Sequence, residues 1–178
     1  NYTGDTMSFD MGQELAEADG VEIGRVVIND DVAVKDSLYT VGRRGVAGNF
    51  FVIKACGAAA EEGKTLKELV DIGNHVVEVT RTMGMALTGC TPPAKGSPIF
   101  TLAEDEMEMG IGIHGEPGRK RVKIEPANKI VDELFEAVQT DLPYKAGDEV
   151  ALMINGMGGT PISELYLLYG HAHEIAEK

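Results

Sequence analysis

Residues 109–118 read Met-Gly-Ile-Gly-Ile-His-Gly-Glu-Pro-Gly. Apolar residues alternate with glycine as far as His114, and the Gly-Glu-Pro-Gly turn then stops the alternation, which predicts a strand that ends at His114. Open α/β sheets bind their ligands at strand ends, and the surrounding glycines, Gly112 and Gly115 among them, leave room for a small molecule to approach the imidazole. The alternative is a hairpin turn whose histidine only hydrogen-bonds a neighbouring loop, which is the commoner role of a lone histidine.

The charge of the chain argues against two classes of partner. Its 178 residues carry 16 Lys and Arg against 29 Asp and Glu, a formal net charge of -13. A field of this sign repels nucleic acid and anionic membrane surfaces, so we expect neither as a partner. No apolar run is long enough for a membrane span, and Cys56 and Cys90 stand at neither metal-ligand nor disulfide-framework spacing. The sequence therefore predicts a soluble, cytoplasmic chain without a metal of its own.

Hydrophobic periodicity predicts alternating helices and strands, which is typical of an α/β protein. Helices are expected at 7–18, 49–62, 65–79 and 127–140 and after the Thr160-Pro161 pair, and strands at 21–28, 83–87 and 149–154. The nearly all-apolar helix at 49–62 is expected to be buried on most sides, and Thr65 with Glu68 forms a capping box. A change of pattern at 80–82 is the best candidate for a domain junction.

Three charged clusters leave alternatives open. Arg43 and Arg44 stand in a glycine-spaced loop before a helix, where they suit an anion site, but pairing with the acidic turn at 29–31 is the favoured interpretation. The basic cluster at 119–123 either attracts a phosphate-bearing ligand or an acidic partner surface, or offsets nearby acid. The acidic run at 104–108 is expected to be a solvated edge unless one carboxylate contacts His114.

The other histidines give no metal-site pattern. His75 lies inside the predicted helix 65–79 without a partner at ligand spacing, so we expect a surface or packing role. His171 and His173 are two residues apart and fall on different faces of a helix, which makes them poor joint ligands.

Five blocks of sequence together resemble one known family, the substrate-binding K subunit of dihydroxyacetone kinases. They are Asn-Tyr-Thr-Gly-Asp at 1–5, Asn-Asp-Asp-Val-Ala-Val-Lys-Asp-Ser at 29–37, Gly-Arg-Arg-Gly-Val-Ala-Gly at 42–48, Gly-Ile-His-Gly-Glu-Pro-Gly at 112–118 and Gly-Gly-Thr-Pro-Ile-Ser-Glu-Leu-Tyr at 158–166. Five long blocks in the same order are far more specific than any single glycine motif.

The resemblance implies a subunit of two α/β domains, an open and mostly parallel sheet followed by a second, mixed-sheet domain, both incomplete here. Residues 1–80 look like the later part of the first domain and residues 81–178 like most of the second. The chain starts without a methionine and stops inside a helical pattern, so we expect a fragment or a processed chain. The family also implies a homodimer.

The chemistry implied by the resemblance centres on two residues. His114 would add to the ketone carbon of dihydroxyacetone to form a hemiaminal, and Asp5 would act on a terminal hydroxyl as general base, with Gly112 and Gly115 beside the bound substrate. The phosphoryl donor would be a nucleotide, ATP or ADP, held with Mg by a separate L subunit, and no segment of this chain resembles that site. The activity implied is glycerone kinase, a phosphotransferase to an alcohol group. Whether the donor is ATP or a nucleotide recharged by a phosphotransferase relay is set by that partner.

The sequence also departs from the family pattern. The family carries a second substrate-binding histidine in a glycine-rich loop upstream of the Asn-Tyr-Thr-Gly-Asp block, a lysine next to that block, and a longer second domain, none of which is present here. We therefore expect the isolated 178-residue chain to be inactive as a kinase. A non-catalytic regulatory or binding paralogue is the alternative, and the presence of both Asp5 and His114 argues against it.

Overall fold

The computed structural model describes residues 1–34 and 42–178. The sequence indicates a loop or edge structure at 32–38 and the glycine-spaced loop at 39–48, and both include residues of 35–41, which lie outside the described residues. The chain divides into two compact units, Asn1–Thr82 and Met83–Lys178, which are treated separately below. The identification of these units with the two domains of the family stays a prediction.

The first unit contains three helices, α1 (Thr3–Ala18), α2 (Gly48–Glu61) and α3 (Leu66–Glu78). All three were predicted, although α1 begins four residues earlier than its periodicity indicates. The predicted capping box is confirmed: the Thr65 hydroxyl accepts the Glu68 N–H, and the Glu68 carboxylate accepts the Thr65 N–H at 2.8 Å. Local signals of this kind suffice for helices because each helical hydrogen bond spans only four residues.

The core of the first unit is small. Ile28, Val52 and Val77 form its buried cluster, where α2 packs against α3. The predicted burial of α2 on most sides is wrong, because Phe50 and Ile53 remain 53% and 68% exposed, and α1 has no buried residue. Periodicity indicates which face of a helix is apolar, but only packing against another element decides whether that face is covered.

No strand forms at 21–28, and this prediction is wrong. In the described part of this unit the β-type pairing is a single parallel bridge between Asp31 and Thr82, not the expected mostly parallel sheet. Apolar side chains in the segment do enter the core, Ile28 as a buried member and Val26 packed against it. A strand needs a neighbouring segment for its backbone hydrogen bonds, and among the described residues no such segment pairs with 21–27.

The second unit contains a three-stranded sheet of β1 (Met85–Ala86), β2 (Glu106–Met109) and β3 (Lys120–Lys123) in the order β1-β2-β3. Both pairings are antiparallel, so the expected mixed sheet is wrong for the described residues. Met107 and Met109 on β2 are 1% and 0% exposed and face the interior on alternate positions.

Two helices complete the second unit, α4 (Ala127–Asp141) and α5 (Ile162–Ala176), which pack against each other. The prediction of α4 is confirmed. Pro161 rather than Thr160 is the N-cap of α5, and the predicted strand at 149–154 does not form. Within the described residues, none of the helices combines the length and apolar character needed to span a bilayer.

Candidate functional site

His114 lies in the loop between β2 and β3. The predicted strand up to His114 is wrong beyond Met109, because Gly110 has φ +78° and turns the chain out of the strand. The Arg119 N–H donates to the Met109 carbonyl at 2.7 Å and closes the loop at its base. The hairpin alternative is thus the correct one for the backbone.

Gly112 and Gly115 shape the inside of this loop. The Gly112 N–H donates to the Glu116 carbonyl at 3.1 Å, and the Gly115 N–H donates to the Gly112 carbonyl at 3.2 Å. Gly115 has φ +91°, and a Cβ there would lie 2.8 Å from Cδ1 of Ile99. The left-handed backbone conformation therefore favours glycine at 115, and a side chain there would also displace the end of Ile99.

Glu116 holds the imidazole of His114 in one orientation. Its Oε2 accepts the His114 backbone N–H at 2.6 Å, and its Oε1 lies 2.9 Å from the ring Nδ1. Burial opposes ionisation of this carboxyl, but the hydrogen bonds from the His114 ring and backbone hold the pKa of Glu116 below its ordinary value. An ionised carboxylate can only accept, so when the His114 ring is neutral its proton lies on Nδ1 and Nε2 keeps the lone pair.

The free nitrogen of His114 is accessible. The His114 side chain is 57% exposed while that of Glu116 is 26% exposed. In the described part of the chain, Nε2 has no hydrogen-bond partner. The loop therefore presents Nε2 toward solvent, and in a neutral ring this nitrogen carries the lone pair with which a histidine acts as a nucleophile.

Sequence reasoning missed the role of Glu116, which it assigned only to a turn. The signal available in the sequence was a carboxylate two residues after a histidine, in a loop with glycines on both sides.

Glu108 was also expected at a solvated edge, and this is wrong. Its carboxylate accepts the Gly118 N–H at 3.1 Å and pairs with Arg121 Nε at 3.0 Å, so it holds the base of the histidine loop.

Asp5 lies in the first unit, in the first turn of α1. Its Oδ2 accepts the Tyr2 backbone N–H at 2.9 Å, and the side chain is half-buried. Among the described residues, Oδ1 of Asp5 has no hydrogen-bond partner, and the nearby Thr3 hydroxyl is buried without one. Since Asp5 and His114 belong to different units, each is described in its own setting.

The favoured interpretation of the arginine loop is confirmed for Arg44. Its Nε lies 2.7 Å from Oδ2 of Asp31, and both side chains are only 4% exposed. Burial raises the pKa of Asp31, against the opposing effects of the Ala33 N–H and the Arg44 guanidinium. Asp30, at 0% exposure, accepts the N–H groups of Val46 and Gly48 and thereby occupies the N-terminus of α2. The carboxylates of Asp30 and Asp31 thus occupy the positions that an external anion would take at this loop.

The basic cluster forms β3 and is paired by the protein's own carboxylates. Lys120 contacts Glu133 on α4, Arg121 contacts Glu108 on β2, and Lys123 contacts Asp105, as three ion pairs. These pairs favour the charge-offsetting role over a phosphate site. Exposed pairs of this type contribute little to stability.

The described residues contain no group of three or more His, Cys, Asp or Glu side chains arranged to hold a metal ion. His75 is an exposed surface residue, and Nε2 of His171 lies 2.7 Å from Oδ1 of Asp132, which links α5 to α4. An open cleft of about 530 Å³ beside β3 and α4 is lined by Lys120, Lys129 and acidic residues, and His114 is not part of it. The local setting of His114, rather than cavity size, identifies the candidate site.

Comparison with known proteins identifies the family. Residues 1–178 match the Dak1 domain, and the chain belongs to the Dak1 domain family. The dihydroxyacetone-binding subunit DhaK of PTS-dependent dihydroxyacetone kinase 1 from Listeria innocua is 47% identical over 98% of this chain and 53% of the relative. The chain spans about half the length of the curated relatives it matches.

Solved structures agree with this assignment. A dihydroxyacetone kinase operon co-activator, Dha-DhaQ, superposes with a TM-score of 0.89 at 31% identity, covering 99% of this chain and 55% of that one. The dihydroxyacetone kinase of C. freundii in complex with AMP-PNP and Mg2+ superposes with a TM-score of 0.85 at 28% identity, covering 96% and 31%.

Proposed function

We propose that this chain is the substrate-holding part of a dihydroxyacetone kinase, in which His114 binds dihydroxyacetone covalently and Asp5 activates it for phosphorylation to dihydroxyacetone phosphate. The observation that carries the proposal is the double contact of Glu116 with His114, which leaves the exposed Nε2 as the nucleophilic atom. The name of the Listeria innocua relative, a dihydroxyacetone-binding subunit, supports the choice of substrate.

The covalent step is an addition to the ketone. The Nε2 lone pair forms a bond to the carbonyl carbon, and the π electrons of the carbonyl move to its oxygen. The Nδ1 proton passes to Glu116 as the ring becomes N-alkylated, the new alkoxide takes a proton from solvent, and Glu116 returns its proton to solvent, so the product is a neutral hemiaminal with no net gain or loss of protons. The tether holds a small, weakly bound triose in one orientation and lowers the entropic part of the barrier to the following step.

Asp5 would act on the terminal hydroxyl. Its Oδ2 is engaged by the Tyr2 N–H, so Oδ1 is the oxygen left to accept the hydroxyl proton. The nucleotide, with its Mg, supplies the phosphoryl group and would be held by a separate L-type subunit. In this proposal the contribution of this chain is to bind and orient the substrate and to remove the proton.

The finer points of the proposal rest on the family resemblance. They are a homodimer in the cytoplasm, a nucleotide-binding L subunit as the partner, and residues 1–80 and 81–178 as parts of two α/β domains. The Listeria relative is called PTS-dependent, which supports a donor recharged by a phosphotransferase relay. The co-activator among the structural neighbours supports a non-catalytic binding role as the alternative.

Carbon-13 NMR of the full-length protein with dihydroxyacetone labelled at the carbonyl carbon tests the covalent step. Hemiaminal formation moves that resonance from the ketone region to the region of saturated carbon. We expect the adduct signal in the wild type and in the control His75→Ala, and its loss in His114→Ala. A wild type without adduct, or an adduct that survives in His114→Ala, would contradict the proposal.

Phosphorylation separates the two candidate functions. A wild type that forms the adduct and turns over with an ATP-loaded partner subunit acts as the kinase subunit. An adduct without turnover would support the non-catalytic paralogue instead.

A further inference from the structure

Asn1, which lies two residues before the start of α1, exchanges two backbone hydrogen bonds with Gly45. The Asn1 nitrogen donates to the Gly45 carbonyl at 2.6 Å, and the Gly45 N–H donates to the Asn1 carbonyl at 2.7 Å. The Asn1 side-chain amide donates to the Ile28 carbonyl at 3.0 Å. These three hydrogen bonds place the start of α1 relative to the loop.

Gly45 is required for this close approach. A Cβ at position 45 would lie 2.6 Å from the Ile28 carbonyl oxygen and 2.7 Å from Oδ1 of Asn1. Real Cβ atoms essentially never approach other atoms this closely. Because the Ile28 oxygen is a backbone atom, the backbone at 28 or 45 would have to shift, and Asn1, which is hydrogen-bonded to both residues, would shift with it.

The buried carboxylates of Asp30 and Asp31 also hold the loop at 44–48. Arg44 is held by the fully desolvated ion pair with Asp31, and the carbonyl of Arg44 accepts the Asp31 N–H at 3.0 Å. Asp30 accepts the Val46 and Gly48 N–H groups at 3.0 and 3.1 Å and a hydrogen bond from the Thr82 hydroxyl. Since buried groups tied by several hydrogen bonds cannot relax without losing them, the position of Gly45 is rigid.

Tyr2 connects Asn1 to the carboxylate of Asp5. Tyr2 follows Asn1 directly, and its N–H is the donor that holds Oδ2 of Asp5. The Tyr2 carbonyl in turn accepts the Thr6 hydroxyl at 2.6 Å. A displacement of Asn1 therefore moves the only donor that orients the Asp5 carboxylate in the described part of the chain.

We propose that Gly45, backed by Asp30 and the Asp31–Arg44 pair, is a positioning element for the carboxylate of Asp5. This inference rests on the proposed function, in which Asp5 removes the substrate proton. A shift of about 1 Å in a catalytic group is enough to cost on the order of 10²-fold in rate. His114 lies in the other unit and is oriented by Glu116, so we expect adduct formation to be retained when this element is disturbed.

Gly45→Ala in the full-length protein, assayed with an ATP-loaded partner subunit, tests the proposal. We expect kcat to fall roughly 10- to 100-fold, while the amount of His114 adduct and the apparent KM stay near wild-type values. Gly57→Ala is the matched control, because a Cβ at position 57 of α2 meets nothing within 4 Å. Asn1→Ala is a gentler variant that removes the bond to Ile28 without a clash, and we expect a smaller fall in kcat with the adduct retained.

The outcomes distinguish this inference from the proposed function. A wild type that forms no adduct defeats the proposed function itself. Two other results would overturn the positioning role and leave the proposed function intact, provided that the wild type forms the adduct and turns over. In the first, Gly45→Ala and Asn1→Ala keep full kcat. In the second, both variants lose adduct and turnover in parallel.

Discussion

Glu116 contacts His114 twice, with Oε2 on the backbone N–H at 2.6 Å and Oε1 on the ring Nδ1 at 2.9 Å. One carboxylate therefore fixes both the position of the residue and the rotation of its ring. The assignment of the ring proton to Nδ1 follows from the ionised state of Glu116 and makes Nε2 the reactive nitrogen. Glu108 holds the loop that carries both residues through the Gly118 N–H.

Replacement of Glu116 by Gln should weaken the adduct. The amide has the size of the carboxylate but presents only one acceptor, so it cannot satisfy both the backbone N–H and the Nδ1 proton, and it cannot take up that proton. We expect a loss of roughly 10- to 100-fold in affinity for dihydroxyacetone, by analogy with the range for removal of a group that orients a metal-bound histidine. Titration of the carbon-13 adduct signal measures it. Glu104→Gln, at an exposed position before the loop, serves as control, and equal affinity in the two variants would show that Glu116 does not orient the ring.

The stability contributed by Glu116 should depend on pH in the acid range. The pKa of Glu116 is lower in the folded state than its ordinary value of 4.5, so the unfolded chain binds the carboxyl proton more tightly than the folded chain does. The contribution is then fully present above the unfolded pKa and is lost as pH falls through the folded one. We expect the stability difference between wild type and Glu116→Gln to shrink as pH is lowered below 4.5. Urea unfolding at a series of pH values measures this difference, and a constant difference would contradict it.

Local signals account for what the sequence predicted correctly. The capping box at Thr65 and Glu68 and the apolar faces of α3 and α4 act within a few residues, so those helices could be placed. Strand 21–28 failed because its pairing depends on distant segments, and the same β-branched run is compatible with an unpaired extended chain. His114 was identified from its glycine-rich setting and the family resemblance, whereas Glu116 and Glu108 act through side-chain geometry within a hairpin that periodicity does not show.

A methyl group at Gly118 should disrupt the loop that carries His114. A Cβ there would lie 2.3 Å from the Met109 carbonyl oxygen, the acceptor that closes the loop, and 3.0 Å from Cγ of Glu108. We expect Gly118→Ala to lower the free energy of unfolding by about 1–3 kcal/mol, the usual cost of overpacking, and to reduce adduct formation. Gly159→Ala is the control, since a Cβ at 159 meets nothing within 4 Å. Urea unfolding and the adduct signal test both effects, and a Gly118→Ala protein that matches the control would contradict the close contact.

The last prediction concerns the buried pair of Asp31 and Arg44. Asp31→Asn removes the carboxylate that lies 2.7 Å from Nε of Arg44, in a pair whose side chains are only 4% exposed. Breaking a buried ion pair at one partner costs about 3–5 kcal/mol, because the attraction that offset the desolvation of the remaining charge is lost. The matched control is Asp71→Asn, which breaks the solvent-exposed pair with Lys67 on α3 and should leave the unfolding curve nearly unchanged. Chemical denaturation of the three proteins measures the difference. A small effect of Asp31→Asn would show that this pair does not hold Arg44, and the loop at 44–48 would then lack the rigidity that the positioning of Asp5 requires.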